Sequence, residues 1–271
     1  MPPIVKKILA LAALLILLNI GFVKFGQASF NADFQQLAKA FSENNATLPR
    51  RTELPEPIRR YIERTGVAKK PYKTLVLEIE GEYYKKPGAK PIPMHALALL
   101  RPTPDMLWAY RMESSVVTFN ALETYHGGRS KMKMSLFGII PTGEFSSDLF
   151  ARSELAHALA YALFNPELFE CACIDYETPA PNKVKATIHD GNLSASMLFT
   201  FDEAGDAILA ESSDRARSVD GKLVRTDWAF RVEGYGNYGP YRLPAKVHEI
   251  WIVNGRPVTA MAYRLKGAEA L

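Results

Sequence analysis

Only two cysteines, Cys171 and Cys173, occur among 271 residues, too few for a disulfide-stapled small fold or a thiolate metal cluster. The five histidines are scattered, and neither an H-E-x-x-H nor a G-x-S-x-G pattern occurs, so the usual sequence support for a zinc or serine hydrolase is missing. Phosphate-loop motifs are also lacking. Charge of one sign is scarce, with a net +4 at pH 7. Hydrophobic content of 48% and charged content of 23% exclude a disordered or low-complexity chain. No internal repeat is evident. The cysteines form Cys-Ala-Cys. In a strand they would share a face with Cα atoms about 6.5–7 Å apart, at the edge of bridging range, so they read as two core thiols beside Ile174 ahead of a redox pair.

One long hydrophobic run is present. Lys6-Lys7 precedes Ile8–Val23, 16 residues that fit neither a spanning helix of about 20 nor a signal core of about 7–15 cleanly. An uncleaved anchor gains length if Ile4 and Val5 join the span while the lysines snorkel. Cleavage gains support from the small residues of Gly26-Gln27-Ala28. Either way the lysines stay inside and the remainder is exported, giving a single-pass membrane protein with an exported C-terminal domain, or a free exported protein if the segment is cleaved.

The chain then divides into residues 1–28, anchor or signal; 29–73, a helical linker region; and 74–271, one antiparallel β domain with a helical insertion at 148–169. Phe34, Leu37, Ala38 and Phe41 have helical spacing. Pro55 and Pro57 open a short helix with Ile58, Tyr61, Ile62 and Thr65 on one face and Gly66 at its end. Eight Lys/Arg between Pro49 and Lys73 face three Glu. This cluster reads as a solvated helix face, with contact to anionic head groups as the alternative. It lacks the interleaved aromatics of a nucleic-acid surface, and nucleic acid is a poor partner for an exported protein.

From Leu75 the period becomes two: Leu75, Leu77 and Ile79 alternate with Glu78 and Glu80. Alternation recurs around Met94–Arg101, Met106–Met112, Lys131–Phe137, Val184–Ile188, Ala195–Phe201, Ile208–Arg217, Trp228–Val232 and Val247–Val253. Gly127-Gly128 and Asn254-Gly255 read as hairpin turns. The connections are too short for crossover helices, so the sheet is antiparallel. Asp148–Phe164 is a helix with Leu155, Leu159 and Leu163 in one row, stopped by Asn165-Pro166. The fold class is mainly β (α+β): a curved antiparallel sheet or half-barrel, because a flat sheet of this length cannot hide its apolar face.

This order of elements resembles the layout of the bacterial lipoprotein carriers, whose half-barrel encloses an apolar cavity covered by helices. In sequence the chain is similar to an uncharacterised family of bacterial envelope proteins. The residues carrying that similarity are Leu54–Tyr61, the 148–169 segment with Phe164-Asn165-Pro166, Phe201–Gly205, Arg215 with Arg217, and Leu243-Pro244-Ala245 leading into Glu249-Ile250-Trp251. The resemblance implies no assigned activity and no catalytic residue.

Two constellations invite an acid/base reading: His126 with Glu123 and Ser130, and Glu154, His157 and Tyr161 along one helix face. The second supplies two metal ligands and reads as a solvated polar stripe. Catalytic residues, metal and cofactor are therefore expected to be absent. Glu249 shares a face with Val247 and Trp251, so a buried charge there needs a partner, and Arg215, Arg217 and Arg231 are the candidate forks. The expected ligand-binding set is Trp108, Tyr110, Met112, Met132, Met134, Phe199, Arg215, Trp228, Phe230, Glu249 and Trp251. Such side chains line a lipid cavity or fill a closed core equally well. The leading expectation is an envelope protein binding a lipid or other apolar molecule, and the alternative is a non-catalytic interaction module.

Overall fold

A computed structural model describes residues 3–43, 47–67, 70–114 and 117–271, with side chains from residue 21 onward. Helix α1 (Pro3–Glu43) is followed by α2 (Glu56–Thr65) and six strands: β1 (Leu75–Tyr83), β2 (Ile92–Arg101), β3 (Thr103–Glu113), β4 (Thr118–His126), β5 (Arg129–Leu136) and β6 (Ile140–Phe145). Helix α3 (Asp148–Tyr161) and a 3-10 turn (Pro166–Glu170) interrupt the strands. Then come β7 (Ile174–Ala180), β8 (Lys183–Asp190), β9 (Leu193–Phe201), β10 (Ala207–Ser212), β11 (Ala216–Val219) and β12 (Lys222–Arg225). The last five are β13 (Trp228–Val232), β14 (Tyr235–Tyr238), β15 (Tyr241–Pro244), β16 (Lys246–Val253) and β17 (Arg256–Ala270).

Thirteen strands form one antiparallel sheet in the order β6-β5-β4-β3-β2-β1-β17-β16-β13-β10-β9-β8-β7. The first and last strands pair at its centre, so the N-terminal strands make one wing and the C-terminal strands the other. The edges β6 and β7 do not pair, and the barrel stays open. Curvature nevertheless brings the wings together at one place. Asp190, at the end of β8, accepts hydrogen bonds from the Gly128 amide at 2.8 Å and the Tyr125 hydroxyl at 3.0 Å, both near the β4–β5 turn.

Strand alternation decides which residues enter the concavity. On β3, Met106, Trp108 and Tyr110 point inward, while Ala109 on the outer face meets Phe30 and Phe34 of α1 together with Leu122. Ser147 caps α3 by accepting from the Phe150 amide, and the helix then drops into the concavity. Beyond its midpoint, Leu155, Leu159, Leu163 and Phe164 are sealed in a core with Phe169, Phe199 and Phe230.

Several expectations change. The apolar run and the Phe34–Phe41 face belong to one continuous helix, α1. Side chains of residues 3–20 lie outside the described residues, and among the described residues no helix is long and apolar enough to cross a membrane. Gly26 is where α1 crosses the β5–β6 turn: an added Cβ would collide with the Phe137 carbonyl oxygen. The Ile208–Arg217 strand divides, because β10 ends at Ser212 and β11 pairs only with β12 in a separate ribbon. Cys171 and Cys173 form a disulfide rather than two thiols. They sit in a turn after the 3-10 segment, not in a strand, and the turn draws their Cα atoms to 5.1 Å.

The basic cluster is engaged rather than merely solvated. Arg50 pairs with Glu167 and Glu170, Arg51 with Asp175, and Arg64 with Asp206. Asp206 is the centre of a clamp, since Arg242 binds it bidentately at 2.6 Å and Arg64 approaches at 2.8 Å. Arg60 donates to the Glu203 carbonyl at 3.0 Å. Tyr61 packs against Phe169, Phe201 and Tyr235. Charge-assisted bidentate bonds are the strong class. Asp206→Ala leaves two guanidinium groups without their carboxylate and is expected to lower unfolding free energy by about 2 kcal/mol, read from urea denaturation. An unchanged midpoint would show that the clamp contributes nothing.

Candidate functional site

The half of the concavity that α3 leaves unfilled is a cleft of about 750 Å³. Its walls come from alternate inward positions of neighbouring strands: Met94 on β2, Tyr110 and Met112 on β3, Met132 and Met134 on β5, and Trp251 on β16. Register makes these walls continuous, with Tyr110 opposite Ala121, which is itself opposite Met134. The cleft opens among the β1–β2 loop at Tyr84–Pro87, Ser114 and Val117 between β3 and β4, the β11–β12 ribbon and the β16–β17 hairpin.

Its floor is charged. Glu123 of β4, Glu154 and His157 of α3, Arg215 of the β10–β11 link and Glu249 of β16 all line the cleft, and each is no more than 6% exposed. Each arrives by a simple periodicity. Glu123 is two residues from Ala121 on the inward face of β4. Glu249 follows Val247 on the inward face of β16. Glu154 and His157 stand three apart, one helical turn, on the α3 face turned toward the sheet.

Arg215 holds α3 to the C-terminal wing. One guanidinium nitrogen donates to the Ser153 carbonyl at 2.9 Å and to Glu154 Oε1 at 2.7 Å, and the group lies over Trp228 and Trp251 at 5.2 and 5.9 Å. His157 Nδ1 is 3.0 Å from Glu154 Oε2 and 3.8 Å from Glu123 Oε1, while its Nε2 is 3.5 Å from Glu249 Oε1. The imidazole is stacked on Trp108 and edge-on to Trp228. Glu249 accepts from the Tyr263 hydroxyl at 3.1 Å and the Tyr161 hydroxyl at 3.4 Å. Glu123 accepts from the Tyr110 hydroxyl at 3.3 Å.

These contacts set the protonation states. Burial and the Arg215 charge oppose protonation of His157, but bonds to Glu123, Glu154 and Glu249 outweigh them and raise its pKa to about 10. Burial would push Glu154 up, yet Arg215 and His157 hold it well below the usual carboxylate range. Glu249 is lowered likewise, with burial overcome by His157 and Arg215. Glu123 goes the other way: burial, then the Glu154 charge, lifts it to about 8. Near neutrality the floor therefore holds two carboxylates, one guanidinium, one imidazolium and one protonated acid, with no net charge.

Glu154, His157 and Tyr161 are thus a buried network rather than a solvated stripe, because α3 lies inside the concavity and turns this face to the sheet. Arg215 is the fork that enters, but its direct partner is Glu154. Glu249 instead meets His157 and the tyrosines, while Arg231 points outward and Arg217 lines the cleft without an ion pair to Glu249. His126 sits apart, with Nδ1 2.9 Å from Asp105. Glu123, Glu154 and His157 offer ligand atoms within 4.8 Å of one another, a trio able to approach a metal ion. Both Glu154 oxygens are already committed to Arg215 and His157, so an ion would have to displace those bonds.

Of the expected ligand set, Tyr110, Met112, Met132, Met134, Arg215, Glu249 and Trp251 line the cleft. Trp108, Phe199, Trp228 and Phe230 do not; they lie in the filled half around α3. Glu123 and His157 were absent from that set. Their inward phase on β4 and α3 was readable, but the tertiary turn of α3 that buries both was not.

Arg215→Met strands Glu154 in a buried site and is expected to cost about 3–5 kcal/mol, measured by chemical denaturation; a loss below 1 kcal/mol would remove its structural role. Glu123 binds its proton more tightly folded than unfolded, so the folded state loses relative stability as pH climbs from 4.5 toward 8. His157 contributes stability that is complete below pH 6.5 and lost through about 10. The lowered Glu154 and Glu249 contribute above about pH 4.5 and lose their contribution as acid protonates them in the fold. Glu123→Gln is therefore expected to gain thermal stability on wild type steadily between pH 5 and pH 8.5, and a gap constant with pH would contradict the raised pKa.

Among solved structures, the chain is similar to a LolA superfamily protein from Nitrosomonas europaea, at 10% identity and a TM-score of 0.43, covering 79% of this chain and 93% of that one. It is likewise similar to a DUF1329 family protein from Desulfovibrio piger, at 9% identity and a TM-score of 0.45, covering 79% and 91%. No curated protein matches. The profile of a family of unknown function, DUF6544, matches residues 45–262, and the chain belongs to that family.

Proposed function

We propose that this is a bacterial cell-envelope protein that holds one lipid or other amphipathic molecule in the open half of its β concavity. The cleft carries the proposal. Its volume lies within the range of small-molecule sites, about 300–1,000 Å³, and its walls are adaptable. Of the eight methionines in the chain, Met94, Met112, Met132, Met134 and Met261 all line it. Unbranched, polarizable thioethers suit chains of variable length. A filled core would have closed this space, as the other half of the concavity is closed around Phe164 and Phe230.

In this reading the N-terminal segment places the domain at the membrane. Lys6-Lys7 and Ile8–Val23 act as a single-pass inner-membrane anchor with the β domain exported, or leave the domain periplasmic if they are removed. No catalytic role is assigned, since the floor carries no nucleophile activated by His157.

The domain purified in detergent-free buffer is expected to carry a bound apolar molecule visible by native mass spectrometry. Met134→Arg, which puts a charge on the wall at a half-exposed position, is expected to lose that mass at least tenfold while melting within a few degrees of wild type. Bare protein mass in every wild-type preparation would overturn the proposal.

A further inference from the structure

On the floor of the cleft, Glu123 is the carboxylate without a cation to itself. Three carboxylates, Glu123, Glu154 and Glu249, face one guanidinium, Arg215, and one imidazole, His157, on the floor, while Arg217, Lys85 and Lys86 line the cleft on the ribbon and loop of its mouth. Glu154 has Arg215 at 2.7 Å and His157 Nδ1 at 3.0 Å. Glu249 has His157 Nε2 at 3.5 Å and two tyrosine hydroxyls. Glu123 has a tyrosine hydroxyl on Oε2, while its Oε1 has no hydrogen-bond partner although it is buried. The cation nearest to that oxygen is His157 Nδ1 at 3.8 Å, already bonded to Glu154.

A buried carboxylate is stable when paired and hydrogen-bonded, and costly otherwise. An anion arriving at this depth would add a third negative charge beside Glu154 and Glu249, with Glu123 kept protonated. An arriving cation would complete the set. Oε1 lacks a hydrogen-bond donor, so the cation that fits carries N–H groups. We propose that the cleft selects its ligand by charge, seating the protonated primary amine of a single-chain amphiphile on Glu123 and excluding amphiphiles with an anionic head. The chain of the ligand then runs along Met112, Met132 and Met134 toward the mouth. This deepens the function proposed above and rests on it. The raised pKa of Glu123 agrees with the assignment: without a cation the site keeps a proton in its place.

The test separates the two claims. A neutral fluorescent polyene, diphenylhexatriene, is titrated into the protein at pH 7.5, then displaced by dodecylamine, dodecanol or dodecanoate. Failure of the polyene to bind would sink the ligand-holding function itself. If it binds, dodecylamine is expected to displace it at concentrations about tenfold lower than dodecanol, equivalent to about 1.4 kcal/mol, with dodecanoate weakest. In Glu123→Gln the preference for the amine over the alcohol should disappear. Equal displacement by all three on wild type, or an amine preference that survives Glu123→Gln, would overturn the charge selection. A cobalt(II) absorption spectrum that depends on Glu123, without any amine preference, would assign the group to a metal ion and overturn it equally.

Discussion

The ion network beneath α3 is the constraint on which the rest of the molecule depends. It joins parts of the chain that do not neighbour one another in the sheet: Glu123 comes from the N-terminal wing, Glu154 and His157 from the helix, and Arg215 and Glu249 from the C-terminal wing. Five ionisable groups removed from water are tolerable only if each finds its complement, so the network fixes where α3 lies and how far the wings close. The α3 face turned to the sheet carries Glu154 and His157. With this face charged, helix and wings lock at one depth, and the space toward the open end stays free.

That division separates the packed half of the concavity from the half proposed to bind. The rear half, around Leu159, Phe164, Phe199 and Phe230, is a packed interior of aromatic and aliphatic side chains. The front half has half-exposed methionines instead, which suits contacts that must re-form around different molecules. Between them the charged floor supplies the polarity that a greasy cleft lacks. A ligand that reached it would be read at its head, with its chain placed by shape alone.

Much of the scaffold was legible in the residues. Period-two alternation marked most strands, Gly127-Gly128 and Asn254-Gly255 marked turns, and Pro55, Pro57 and Gly66 bounded α2 correctly. Legibility failed where tertiary packing decides. Alternation showed that Trp108, Trp228 and Phe230 face inward, but both halves of the concavity are lined by inward positions, and only the depth of α3 assigns them to the filled one. Likewise, three polar residues at helical spacing look alike whether they face water or a sheet. Arg215 was visible as a partner for a buried acid, yet the break between β10 and β11 that points it at Glu154 depends on a ribbon outside the main sheet. The cysteines escaped for a related reason: strand spacing was applied to a turn.

The two ends of the molecule differ in how firmly they are held, which bears on how the proposed ligand would enter. At the end bearing α2, the Asp206 clamp, the Tyr61 aromatic contacts and the Cys171–Cys173 turn tie helix, 3-10 segment and C-terminal strands together. Arg50 and Arg51 pin the preceding linker to the same region. None of Tyr61, Arg64 or Asp206 lines the cleft. At the opposite end, hairpin tips such as Lys85–Pro87 and the β11–β12 ribbon form the mouth, and Lys85, Lys86 and Pro87 are exposed. Exposed hairpin tips open at lower free energy than clamped interior strands. A ligand held as proposed above would have its easiest route between the tips, and such a route would leave the ion network undisturbed until the head group reached Glu123.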